Sequence, residues 1–390
     1  MLVKSSKKNI VKHVWRIKVM KKGVYIRYME LTAGAEKKIL GQIKAFEDAG
    51  FQMSTICMDI KMVPGWKVLY RFPFINIRPY WRWFDEFGEC DFIYFRHPHC
   101  MNLAFLKLMK RIKEKNQKVK IIMEIPTYPY DKEMLQYLRN FPAYLKDKVI
   151  RESHLERYID AIAVLTPEDK VFGVKAIQIR NGFDFSNLRI REIRKDDKEI
   201  NIVMCASMER AHGYERIITG LYKYYENGGM RNIILHFIGD GLELPYYRSL
   251  IHKYNLENKA IFYGMKDKNE IEKIYDKCDL GVSVLGGYKK GIEYHATLKT
   301  REYFAAGLPF IGAGSHDVSD YDEFREYVLS FSNDPTPIDM TKVVAFYDKL
   351  YGKKNYNEIT EMAAQIRNMA EKRLNMRSAM QSVSDFINME

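Results

Sequence analysis

The stretch from His295 to Ile311, HATLKTREYFAAGLPFI, combines a helix start able to hold an anion with a carboxylate one turn further in. Thr297 reads as an N-cap, which leaves the backbone N–H groups of Leu298, Lys299 and Thr300 without intrahelical partners at the positive end of the helix dipole. A diphosphate fits such a place. Glu302 follows Leu298 by one turn on the same face, where an acceptor-only side chain can take hydrogen bonds from both hydroxyls of a ribose. Gly307 ends the helix and Pro309 stops it from resuming. Taken alone, the stretch is an ordinary capped helix with a solvated Glu302; its surroundings reverse that reading.

Those surroundings are alternating strands and helices. Apolar runs at 24–28, 52–57, 91–95, 119–124 and 160–165 alternate with amphipathic segments at 34–49, 102–116, 131–147 and 150–158. The style repeats with strands at 201–206, 233–238, 260–263, 280–285 and 309–312, and helices at 214–227, 243–255, 269–277 and 298–306. Such alternation predicts an α/β protein with two Rossmann-like parallel sheets in series, facing a cleft. The charged stretch 189–199, RIREIRKDDKE, reads as the linker. The expected domains are 1–188, binding an acceptor and carrying a basic N-terminal extension, and 200–370, binding a nucleotide. A C-terminal helix, 371–390, is free to return to the first domain.

Parallel sheets bind ligands at the carboxyl ends of their strands, and the remaining motifs fall there. Gly239-Asp240-Gly241 follows a strand and precedes a helix, which permits close backbone approach to a ligand; a plain tight turn is the competing reading. Gly264 ends the next strand in the same way. After the first strand of the second domain come Ser207, Arg210 and His212, a hydroxyl, a guanidinium and an imidazole at a helix entrance and a set suited to phosphate.

Length and charge narrow the class. The 390 residues exceed one ordinary core. Residues 1–190 carry 35 Lys+Arg against 20 Asp+Glu, a net +15, and the remainder 28 against 30, a net −2. Residues 1–22 hold eight Lys or Arg and no acid, interspersed with Ile10, Val14 and Trp15, and resemble a basic amphipathic segment. Residues 66–84 interleave aromatics with Lys67, Arg71, Arg78 and Arg82, which suits either an anionic membrane surface or a buried aromatic cluster. Nucleic acid is disfavoured, because the charge is confined to one half and no RNA-recognition signature appears. Five scattered cysteines without a C-x-x-C pair read as reduced core residues of a cytoplasmic protein. Neither an apolar run long enough to cross a bilayer nor a signal-peptide block is present, so the expected location is peripheral, on the inner face of the cell membrane.

LKTREYFAAGLPFI from 298, HGYERIITGL from 212, HFIGDG from 236, EIPTYPYD from 124 and NGFD from 181 together resemble retaining nucleotide-sugar glycosyltransferases of family four, on the two-Rossmann GT-B fold. Members of this kind build bacterial capsule and exopolysaccharide. The resemblance implies transfer of a sugar from a nucleotide-diphosphate donor, UDP-linked by family weighting, to a hydroxyl of a lipid-linked glycan. Retention of configuration without a metal or other cofactor is also implied. It assigns donor contacts to Ser207, Arg210, Gly239, Gly241, Gly264, Thr297, Leu298, Thr300 and Glu302, and charge stabilisation to Lys299 and His212. On the acceptor side it assigns Gly34, Arg96 and Tyr128, with Glu124 as an acceptor-orienting or base-like residue. Three departures stand out. The family pairs two glutamates, but counting back from Glu302 gives Tyr294, with Glu293 one position away. An arginine–lysine pair is replaced by Ser207 and His212, and a strand-end histidine by Glu124, for which a structural carboxylate is the alternative role. A catalytically silent subunit that binds membrane or a partner protein is therefore the rival reading.

Overall fold

The computed structural model describes residues 20–28, 33–58, 89–98, 100–135, 137–193 and 199–389. The basic segment 1–22, apart from its last three residues, the aromatic stretch 66–84 and positions 194–198 of the linker lie outside them.

The first sheet contains β1 (Lys22–Tyr28), β2 (Gln52–Met58), β3 (Phe92–Arg96), β4 (Lys120–Ile125), β5 (Ala161–Val164), β6 (Lys170–Val171) and β7 (Val174–Gln178), in the order β2-β1-β3-β4-β5-β7-β6. Every pairing is parallel except β6 with β7. The second contains β8 (Glu199–Cys205), β9 (Asn232–Ile238), β10 (Ala260–Gly264), β11 (Leu280–Val282), β13 (Phe310–Ala313) and β15 (Val328–Phe331), in the order β10-β9-β8-β11-β13-β15, all parallel. A short pair, β12 (Tyr294–His295) and β14 (Ser315–His316), stands apart. The inner strands are covered on both faces, so they are continuously apolar: Phe92, Ile93, Tyr94 and Phe95 of β3 are all fully buried.

Two predicted helices are broken, for local reasons. The segment expected as one helix over 131–147 divides into Asp131–Met134, a 3-10 turn at Leu138–Asn140 and a helix Phe141–Arg151, with Pro142 in the first turn of the last. Proline lacks the N–H that a continuous helix needs and is tolerated only at a start. The C-terminal helix expected over 371–390 is likewise interrupted at Asn375, whose side chain accepts from Ser378 N and opens a new helix after Tyr356–Leu374. Beyond that break the chain returns to the first domain. Met380, Val383 and Ile387 join Tyr25, Phe46, Phe92 and Tyr94 in one apolar cluster. Lys21 and Lys120 donate to the final carbonyls of the terminal helix, Ile387 O at 2.6 Å and Phe386 O at 2.9 Å, a favourable match of cation to helix C-terminus.

The charged stretch expected to be a bare linker is packed where it is described. Arg189 forms a forked ion pair with Asp276, at 2.9 and 2.6 Å, and buried Arg191 donates to Cys278 O at 2.7 Å. Ile193 enters the second domain's core. None of the five cysteines is joined in a disulfide, but Cys57 is exposed, which corrects the expectation that all are core residues. Among the described residues no helix is long and apolar enough to cross a membrane.

Candidate functional site

Helix Leu298–Ala305 is fastened to its sheet by Tyr303, whose hydroxyl donates to Val282 O at 3.0 Å and accepts from Cys205 N at 3.2 Å. That anchoring fixes where its N-terminus faces. Thr297 caps the helix: its Oγ1 accepts from Thr300 N, at 3.4 Å, and lies 3.2 Å from Ser283 Oγ. The expectation of three free amides is corrected here, because the Thr300 N–H is already taken by the cap. Thr300 itself is fully buried and its hydroxyl donates to Thr297 O at 2.8 Å, so its side chain is structural. The amides of Leu298 and Lys299 remain, and Leu298 is exposed.

Across from this turn, the loop after β8 brings in buried His212. Its Nδ1 accepts from Glu209 N at 2.9 Å, and its Nε2 lies 3.0 Å from Lys299 Nζ. Burial, reinforced by Lys299 and Lys290, pushes the imidazole pKa down to about 3. The ring is therefore neutral, and with Nδ1 accepting, its proton is assigned to Nε2. Two donors, Nε2–H and the Lys299 ammonium, then meet with no acceptor between them. Burial also pulls the Lys299 pKa below its usual value against the opposing pull of Glu302, Cys205 and Glu209. An anion seated at this point would satisfy both donors and relieve the cost of both burials.

Glu302, on the next turn, is half-buried and makes no hydrogen bond or ion pair among the described residues. Burial raises its pKa, opposed by the charges of Lys299 and of Lys37 on the first domain. An unpartnered carboxylate at such a place is poised to accept from a ligand's hydroxyls. Gly239 and Gly241 have left-handed backbone, φ 117° and 154°, and lie tight against the loop after β8; a Cβ would sit 1.9 Å from Ala206 O and 2.6 Å from Ser207 O, respectively. These glycines make room for a neighbouring loop, which accounts for them without a ligand. Gly264 is joined to them through its carbonyl, which accepts from Gly239 N at 2.8 Å. Ser207 and Arg210 are exposed, and their side chains make no hydrogen bond or ion pair among the described residues.

In the first domain, Glu124 is the penultimate residue of β4 and is fully buried. Its oxygens accept from Lys38 Nζ at 2.9 Å, Gln42 Nε2 at 2.8 Å and Tyr94 OH at 2.9 Å, with Arg96 Nε 3.8 Å away. Burial opposes its charge, yet Lys38 and Arg96 outweigh it and hold the carboxyl at about 2. A sealed carboxylate held by Lys38, Gln42 and Tyr94 is a poor proton acceptor, so of the roles expected for Glu124, acceptor-orienting or base-like against structural, its surroundings favour the structural one. Because the folded pKa lies below the unfolded one, Glu124 stabilises the fold above about pH 4.5, and that contribution is lost as pH falls through about 2. In Glu124→Gln, denaturant unfolding between pH 5 and 2 should accordingly vary less with pH than in the wild type, and identical curves would refute the assignment.

Gly34 lies in the first turn of helix Ala33–Asp48, four residues before Lys38. Tyr128 instead packs edge-on against Phe172, with centroids 5.9 Å apart, and bonds neither Arg96 nor Glu124. Glu293 is exposed. Tyr294 sits in the joint between the domains: its hydroxyl accepts from Gln178 at 3.1 Å and Arg180 at 2.5 Å and donates to Asp320 at 2.5 Å. Sequence reasoning missed Lys38 and Gln42, though their i,i+4 spacing on one helix face was a visible signal, and it missed Lys37. Among the described residues no group of three or more His, Cys, Asp or Glu side chains could hold a metal ion.

Residues 186–321 match the family model described as "Glycosyl transferases group 1". No curated protein matches the chain. Among solved structures it is similar to a glycosyltransferase from Rickettsia africae, with a TM-score of 0.62 and 11% identity over 95% of this chain and 98% of that one. It is also similar to sucrose-phosphate synthase from Thermosynechococcus elongatus, with a TM-score of 0.59 and 12% identity over 94% and 98%. HepE from Anabaena, in complex with UDP and glucose, gives 0.55 and 12% over 95% and 100%. At such identities the likeness defines the architecture, which is the GT-B fold of glycosyltransferases.

Proposed function

We propose that the chain is a nucleotide-sugar-dependent glycosyltransferase, with residues 200–370 binding the donor and residues 1–188 the acceptor. The observation that carries this is the meeting of His212 Nε2 with Lys299 Nζ at the mouth of helix Leu298–Ala305, one turn from an unpartnered Glu302. The diphosphate lies between Lys299, His212 and the amides of Leu298 and Lys299, with exposed Arg210 and Ser207 at the entrance and the turns at Gly239, Gly241 and Gly264 alongside. The ribose hydroxyls donate to Glu302. UDP is the proposed nucleotide, by the family resemblance and by the UDP bound in HepE.

In the reaction the bond from the anomeric carbon to the phosphate oxygen breaks, and a bond from the acceptor hydroxyl oxygen to that carbon forms. Glu124 is sealed off, so the hydroxyl proton passes to the departing phosphate oxygen, which lies on the same face when configuration is retained. Lys299 and the helix N-terminus stabilise the charge that grows on the diphosphate. A lipid-linked glycan is the proposed acceptor, with Arg96 on its side of the cleft, and the basic first domain is proposed to rest on an anionic membrane surface.

The test is thermal denaturation with UDP, UDP-sugars, ADP and GDP. A ligand at a hundredfold its Kd stabilises by about 2.7 kcal/mol; no shift with any nucleotide overturns the proposal. One observation favours a second reading. Tyr294 stands where the family carries its first glutamate, and its hydroxyl is fully engaged in the interdomain joint. Nucleotide binding without hydrolysis or transfer would therefore identify a silent, donor-binding subunit.

A further inference from the structure

The cleft contains more positive charge than a donor diphosphate accounts for, and the surplus lies on the opposite wall. Arg27 and Arg96 stand at the carboxyl ends of the adjacent strands β1 and β3, one step beyond the paired Ile26 and Phe95 and on the same side of the sheet as Tyr25 and Tyr94. Lys37 and Lys38 lie on helix Ala33–Asp48, which covers that side. Two acids pair directly with these four cations, and the Lys37 charge also bears on Asp184 and Glu302. Glu36 pairs with Arg27 Nη2 at 2.6 Å, and Glu124 with Lys38 at 2.9 Å.

The pairing leaves donors over. Arg96 makes no hydrogen bond among the described residues, although its side chain is only 18% exposed; its nearest acid, Glu124, is 3.8 Å from Nε. The Nε of Arg27 is buried and equally unbonded. Lys37 is exposed and has no ion pair among the described residues, and its charge opposes the rise of the Glu302 pKa across the cleft. A guanidinium so largely withdrawn from water normally finds acceptors, and neutral hydroxyls would leave the local charge unbalanced. A phosphate supplies several acceptor oxygens and the missing charge, and it matches the guanidinium fork.

We infer that Arg96, Lys37 and Arg27 form an anion subsite on the acceptor side of the cleft, and that the acceptor carries a phosphate ester close to the hydroxyl that receives the sugar. The inference rests on the proposed transferase reading and specifies its substrate class. Lys37 lies on the helix that covers the side of the sheet carrying both arginines, and its charge is felt by Glu302, so the phosphate lies beside the donor rather than at a remote end of the acceptor.

The test is calorimetric titration of the full chain with glucose 6-phosphate and decyl phosphate, against glucose and inorganic phosphate, with UDP titrated separately. At least one ester is expected to bind more tightly than inorganic phosphate, while glucose does not bind. Lys37→Ala and Arg96→Gln should each weaken ester binding about tenfold or more, as expected for loss of a charge-assisted contact, and leave UDP affinity within twofold. Lys37 is exposed, so its variant keeps the test valid if Arg96→Gln fails to fold. Tighter binding of decyl phosphate assigns a lipid-borne phosphate, and tighter binding of glucose 6-phosphate a sugar-borne one. Ester binding that survives both substitutions, that disappears only in Lys299→Ala, or that does not exceed inorganic phosphate overturns the subsite. Loss of UDP binding in the wild type sinks the transferase reading instead, a separate and distinguishable failure.

Discussion

Glu302→Gln is expected to weaken nucleoside-diphosphate binding by about 10- to 100-fold and, at the same time, to raise the melting temperature of the free protein. The first effect follows from replacing an ionised acceptor by a neutral amide: each charge-assisted hydrogen bond to ribose contributes roughly 1.5–3 kcal/mol, and the amide oxygen retains part of one. The second follows from burial without a partner. Burial raises the carboxyl pKa above its unfolded value despite Lys299 and Lys37. The folded chain therefore holds that proton more tightly than the unfolded chain, and stability declines as pH rises from the unfolded pKa through the folded one. Glutamine removes the penalty, so the gain in melting temperature should be larger at pH 8 than at pH 5. Calorimetry with UDP and melting curves at the two pH values check both halves. Unchanged affinity sinks the ribose assignment, and a lowered melting temperature at pH 8 shows that Glu302 has a folding partner after all.

The opposite signs of these effects explain why part of the site could be read from sequence and part could not. The N-cap Thr297, the amides behind it and the turn-spaced Glu302 form a local pattern set by helix geometry, and the structure brings them together as a contiguous group. Strand positions were equally legible, because parallel strands buried on both faces are runs of β-branched and aromatic residues. Elements whose identity depends on distant partners were less visible. VKAIQ of β7 is short and broken by Lys175 and Gln178, and it becomes a strand by pairing with β5. VLSF of β15 is defined by pairing with β13. Spacing alone leaves Glu124 equally suited to base or strut, since the deciding residues, Lys38, Gln42 and Tyr94, lie 86, 82 and 30 positions away. Long-range electrostatics fixes the protonation state, and thus the chemistry, of a residue whose position the sequence already specifies.

Arg301→Ala is expected to destabilise the second domain by about 3–5 kcal/mol, the range for removing one partner of a buried ion pair. The residue lies inside the motif that reads as a ligand site, yet it is fully buried and faces away from the cleft's donors. Its Nη1 donates to Asp317 Oδ1 at 2.7 Å and to Thr300 Oγ1 at 2.8 Å, its Nη2 donates to Asp317 Oδ2, and its Nε donates to Asn181 O at 2.9 Å. Asn181 in turn donates to Ala296 O at 2.5 Å. One guanidinium thus ties the β14 end, the capped turn and the chain leaving the first domain into a single unit. Alanine would leave Asp317 charged, buried and stripped of its fork. With about 2–4 °C per kcal/mol for a domain of this size, the melting transition of the second domain should fall by roughly 6 to 20 °C. Arg301→Lys should recover little, because an ammonium cannot reach both Asp317 oxygens and Asn181 together. Arg301→Met combined with Asp317→Leu should be far less damaging than either charge-removing change alone, since it abolishes the unpaired charge along with the pair. The alternative is that Arg301 acts on the ligand. It predicts a normal melting temperature with lost UDP affinity, and that result would remove the strut from the account and return the arginine to the binding surface.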